Sequence, residues 1–135
     1  MLFDFETLSP QDCYKLVVSS VVPRPIAWVV TQDAAGVTNA APYSFFNAFS
    51  SNPVVVGIGC GPKAPDALKD TAANIRATGE FVVCLVPETA VHQMNATAVD
   101  FEPGWTRSPR PASAACLPPR SSRRASPKAR WRWNA

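Results

Sequence analysis

The chain has 135 residues, of which 47% are hydrophobic, so one domain with a packed core is expected. Its formal charge of +3 averages two unlike segments: residues 1–104 carry ten acidic and five basic side chains, whereas residues 105–135 carry eight basic side chains and no acidic one. A net charge built this way identifies no partner, and the four cysteines (Cys13, Cys60, Cys84, Cys116) form no C-x-x-C pair and have only His92 to help them, which argues against a metal site.

In chain order, Ser9-Pro10-Gln11-Asp12 is a helix start: a capping hydroxyl followed by a proline whose missing N–H costs nothing there. The helix is expected to reach about residue 19, and Pro23 blocks any continuation. No charged n-region and apolar h-region open the chain. Residues 16–30, interrupted by Pro23, Arg24 and Pro25, are too short an apolar run to cross a bilayer. The expectation is a cytoplasmic protein whose cysteines are small buried apolar groups.

Residues 26–31 are apolar and rich in β-branched and aromatic types, which predicts a strand. Asp33-Ala34-Ala35-Gly36 is turn chemistry, and residues 37–49 are read as one strand returning antiparallel. Pro42 inside that strand implies a sheet edge or a bulge. Residues 53–60 read as a third, fully buried strand. Residues 61–65 form a loop, after which Asp66 is expected to cap a helix over residues 67–76 with Leu68, Ala72 and Ile75 as its buried stripe. Gly79 is placed to end that helix in the left-handed region. A fourth strand over 80–86 and a helix over 88–97 complete a mostly antiparallel sheet or barrel with helices outside.

Three stretches carry possible chemistry. Residues 39–47 (Asn-Ala-Ala-Pro-Tyr-Ser-Phe-Phe-Asn) combine small residues, a proline and aromatics able to stack on a planar ligand; an irregular edge strand would look the same. Lys63 in its Gly/Pro loop, followed by Lys69-Asp70-Thr71, offers the parts of a phosphate site or a solvated helix face. Arg24 between Pro23 and Pro25 is a stiffly presented cation or an ordinary surface turn.

Together these stretches resemble the flavin reductase-like, FMN-binding split-barrel family. The resemblance is carried by residues 20–29, residues 39–47 with Ser51-Asn52-Pro53, Lys69-Asp70-Thr71, Asn74-Ile75 and residues 78–83, in that order and spacing. It implies a mostly β fold with helices, a split β-barrel of which residues 1–104 form the N-terminal part. It also implies FMN held non-covalently at a homodimer interface, with NADH or NADPH as donor. Pro42, Tyr43, Ser44, Phe45 and Phe46 would then contact the isoalloxazine and ribityl chain. Lys63, Lys69, Asp70 and Thr71 would surround the phosphate, with Arg24 a further candidate. Cys84 stands where the family often has asparagine, a change expected to affect packing. No general acid or base stands out, and His92 reads as a surface residue; in flavoenzymes the cofactor carries the redox chemistry.

Residues 105–135 hold five of the fourteen prolines and three of the four tryptophans and show no hydrophobic periodicity. A GC-rich gene read out of frame gives such a composition. Joining the last base of each codon to the first two of the next lets residues 126–135 read Ala-Glu-Ser-Pro-Val-Ala-Leu-Glu-Cys, similar to a segment typical of the family. Trp105-Thr106-Arg107 can likewise read Val-Asp-Glu. The expectation is therefore a barrel truncated after its N-terminal half, followed by a disordered, out-of-frame tail. The rival readings are a non-enzymatic flavin carrier or electron-transfer module, or an inactive product whose basic tail binds anionic partners. No specific nucleic-acid partner is expected.

Overall fold

Ser9 opens the first helix as its chemistry predicts: in the computed structural model, which describes residues 2–64, 66–99 and 130–132, its Oγ accepts the Asp12 N–H at 3.2 Å. Helix α1 spans Pro10–Ser20 with the proline in its first turn. Arg24 closes the other end, where one guanidinium nitrogen donates to the carbonyls of Val18 and Val21, both at 2.6 Å.

Strands β1 (Ala27–Gln32) and β2 (Thr38–Tyr43) form an antiparallel hairpin, and Gly36 takes a φ of 85° in its turn. The expected long second strand is in fact two. After Tyr43 the chain leaves the first sheet at Ser44 and Phe45, and β3 (Phe46–Ser51) pairs with β4 (Val54–Ile58) in a separate two-stranded sheet. Pro42 accordingly sits on an edge strand, opposite Trp28. β4 is not the buried strand that its apolar sequence implies: Val54 is 65% exposed, because among the described residues only β3 pairs with β4.

Helix α2 (Asp70–Thr78) begins later than expected. Ala64 and Ala67 bridge each other instead, with the Lys63 N–H donating to the Ala67 carbonyl at 2.8 Å and the Ala67 N–H to the Ala64 carbonyl at 3.0 Å. Leu68 therefore falls outside the helix and is exposed, and Thr71 takes the buried position. Gly79 ends α2 at φ 69°, with its N–H on the Ile75 carbonyl. Strand β5 (Val82–Cys84) joins the free side of β1; a 3₁₀ turn (Glu88–Ala90) and helix α3 (Val91–Ala96) follow. Strand β6 (Arg130–Arg132) lies parallel to β5, giving the order β2-β1-β5-β6. The expectations for Cys116 and for a disordered tail otherwise fall outside the described residues.

β1 and β5 lie at the centre and bury both of their faces. Trp28, Val30, Ala40, Val82 and Cys84 form one apolar cluster, which Met94 of α3 helps to cover. Ala27, Val29, Ala41, Tyr43 and Val83 form the other, against Phe46 and Ile58 of the second sheet. Polar side chains fasten the helices. Asn39 donates to Thr71 at 2.9 Å and Asn74 to Thr31 at 3.1 Å, tying α2 to the hairpin; Trp28 Nε1 donates to Thr97 at 3.1 Å, tying the end of α3 to β1. The architecture is thus mixed α/β with antiparallel sheets. No helix among the described residues is long and apolar enough to cross a membrane.

Candidate functional site

The corner where β2 becomes β3 is the centre of the site. A chain that changes sheets cannot keep its ladder bonds, and here Ser44 is left half-buried and Phe45 exposed. One bond fixes the corner from behind: the Gly59 N–H donates to the Phe45 carbonyl at 2.7 Å. The approach is close enough that a Cβ on Gly59 would stand 2.8 Å from the Phe45 Cβ. The Tyr14 ring of α1 meets the Phe45 ring edge-on, with centroids 6.1 Å apart at 79°.

Two cavities flank this corner. One, of about 320 Å³, is lined by Pro42, Tyr43, Ser44, Phe45 and Lys69, with Tyr14, Gly59 and Thr97 among its other walls. The second, of about 570 Å³, is lined by Arg24, Ser44, Phe45, Phe46, Phe49 and Ile58, with Pro23 and Pro25 at one side. Both volumes fall within the range of small-molecule sites, roughly 300–1,000 Å³.

Electrostatically, the first cavity is set by Lys69, whose backbone stands at the N-cap of α2 and whose cation adds to the positive end of the helix. Lys69 also acts on Cys60. Burial pushes the Cys60 thiol above its ordinary value of 9.0, against the smaller lowering effects of a hydrogen bond with Tyr43 and the nearby Lys69 charge. Cys60 is thus a protonated thiol at neutral pH, beside a tyrosine and a lysine that also line the cavity.

The structure therefore brings five of the sequence-selected residues to one cavity: Pro42, Tyr43, Ser44, Phe45 and Lys69. Arg24 and Phe46 belong to the other, and Ser44 and Phe45 border both. Lys63, Asp70 and Thr71 line neither. The Thr71 hydroxyl is buried and engaged by Asn39, and the Arg24 guanidinium is committed in part to the end of α1. His92 is exposed on α3, as expected. Sequence reasoning missed Tyr14, Gly59 and Thr97. The glycine alternation Gly57-Ile58-Gly59 was the one available signal, since glycines inside a strand mark a close approach; in Tyr14 and Thr97 nothing local distinguishes them.

The donor set has the chemistry a flavin requires. Aromatic and proline surfaces match a planar ring, exposed backbone at the corner matches its polar edge, and one lysine at a helix head matches a phosphate.

Comparison with known proteins agrees with this chemistry. Residues 18–124 match the model of the flavin reductase like domain. The chain is 43% identical over 98 residues to the uncharacterised protein BH2278 of Halalkalibacterium halodurans, an alignment covering 73% of this chain and 47% of that protein. It superposes on nitrilotriacetate monooxygenase component B from Bacillus cereus with a TM-score of 0.69 at 37% identity, over 74% of this chain and 50% of that one. It superposes on the 2-nitrobenzoate 2-nitroreductase NbaA of Pseudomonas fluorescens with a TM-score of 0.65 at 35% identity, over 75% and 48%. The chain spans about half the length of the relatives it matches. On the match over residues 18–124, it belongs to the family of the flavin reductase like domain.

Proposed function

We propose that this chain is part of an FMN-binding oxidoreductase that takes electrons from NADH or NADPH and works as a homodimer. The observation that carries the reading is the gathering of Pro42, Tyr43, Ser44, Phe45 and Lys69 around one cavity. The ring would lie along the Ser44–Phe45 corner, with the phosphate end toward Lys69. When bound, the flavin supplies the hydride and electron chemistry. The chain's own residues do the rest. Phe45 and Tyr14 form an aromatic wall, Gly59 keeps the corner in place, and Lys69 supplies the charge that holds a phosphate.

The apolar hairpin supports the dimer. Phe49 is 71% exposed and Val54 is 65% exposed, apolar side chains that the described residues leave open. The same cavity would serve a flavin carrier, which the family also includes. Titrating FMN into the protein while following the quenching of flavin fluorescence tests binding; saturable quenching is expected. Steady NADH or NADPH oxidation with FMN present separates an oxidoreductase from a carrier.

A further inference from the structure

We propose that the DNA encoding residues 105–135 is structural coding sequence for this fold in a different frame, one base removed from the frame that gives this chain. Three observations converge on it.

The first is charge. Ten acidic residues in the first 104 give way to none in the last 31, while basic residues rise from five to eight. A folded, soluble surface mixes both signs.

The second is the genetic code, and part of it is independent of codon choice. Tryptophan has the single codon TGG. In the frame that joins the last base of one codon to the first two of the next, the codon entering each tryptophan ends in TG. It can encode only Leu, Val or Met. The codon leaving Trp105 must then be GAC, an aspartate, because Thr106 begins with AC. The codon leaving Trp133 must be GAA, a glutamate, because Asn134 begins with AA. The shifted frame thus returns acidic residues to a segment that has none. Across residues 130–134 it reads apolar, Ala or Glu, apolar, Glu. That is the period-two alternation of a strand, in place of Arg-Trp-Arg-Trp.

The third is position in the fold. Residues 130–132 of that stretch lie beside β5, with Val82 paired to Arg130, Val83 to Trp131 and Cys84 to Arg132, all parallel. Val82, Val83 and Cys84 are each at least nine-tenths buried. A parallel neighbour of so buried a strand ordinarily carries apolar residues. The shifted frame places Leu, Val or Met at alternate positions there; the frame as given places arginines on either side of Trp131. The family match runs on to residue 124, twenty residues past the point where composition and code place the break, so the match does not mark it.

The test is a pair of genes, one as given and one with a single base added at or just before codon 104, each expressed to its own stop codon. Size-exclusion elution and thermal melting are compared. The added base is expected to raise the yield of monodisperse protein several-fold and to give a sharp, cooperative melt. A sharp melt from the gene as given, or no gain from the added base, overturns the proposal.

Discussion

The Thr71 hydroxyl accepts the Asn39 amide at 2.9 Å in a place that is 1% exposed. Thr71→Val in the frame-restored protein would strand that amide, so a loss of about 1–3 kcal/mol in urea unfolding is expected, while Thr71→Ser keeps most of the stability. Lys69 behaves differently, because its charge faces a cavity. Lys69→Gln should leave the unfolding midpoint almost unchanged and weaken FMN binding about tenfold, the scale of one lost charge-assisted contact. Thr71 and Lys69 sit two residues apart in one motif, and sequence alone gave them the same role. Only burial separates the residue that holds the helix from the one that faces a cavity. Cys60 adds a pH effect. Its thiol value is raised in the folded state, so the native form holds its proton longer than the unfolded form. The stability it contributes is complete below 9.0, the unfolded value, and is lost as pH rises through the higher folded one. Denaturation at several pH values should show stability falling above about pH 9 in the wild type and falling less in Cys60→Ala.

At the scale of elements, local chemistry was legible wherever the signal was local. The Ser9 cap, the Gly36 turn, the Gly79 helix end and the edge position of Pro42 all followed from single residues with one dominant conformational use. What failed depends on distant partners. Residues 37–49 have the propensities of one strand, and nothing in them says that the chain changes sheets at Ser44. Residues 53–60 are apolar enough for a core, yet hydropathy does not say what covers a strand, and Val54 lies open. The corner owes its position to Gly59. Gly59→Ala would force a Cβ against Phe45 and shift the corner; FMN affinity should fall several-fold with helix content unchanged by circular dichroism. The open hairpin makes a separate prediction. If the proposed dimer forms through it, Val54→Glu should shift the frame-restored protein to monomer in sedimentation experiments, because it places a charge on an exposed apolar strand without touching the buried clusters.

At the scale of the molecule, the two β-sheet faces are closed on one side by α3 and on the other by the second sheet and α2, and the flavin site proposed here lies where the two sheets meet. Family membership was readable because several motifs occur in a fixed order, and order over a hundred residues is harder to produce by chance than any one motif. The grouping of motif residues around a cavity was only half readable: the Pro42–Phe45 stretch and Lys69 converge, while Lys63 and Asp70 do not join them. The central claim is that this site takes the flavin. The most direct measurement is a titration of FMN into the frame-restored protein, beside its Lys69→Gln variant, read by flavin fluorescence. Saturable quenching by the parent protein and about tenfold weaker binding by the variant are expected. A folded parent protein that leaves FMN fluorescence unchanged, or a variant that binds as tightly as the parent, would contradict that claim.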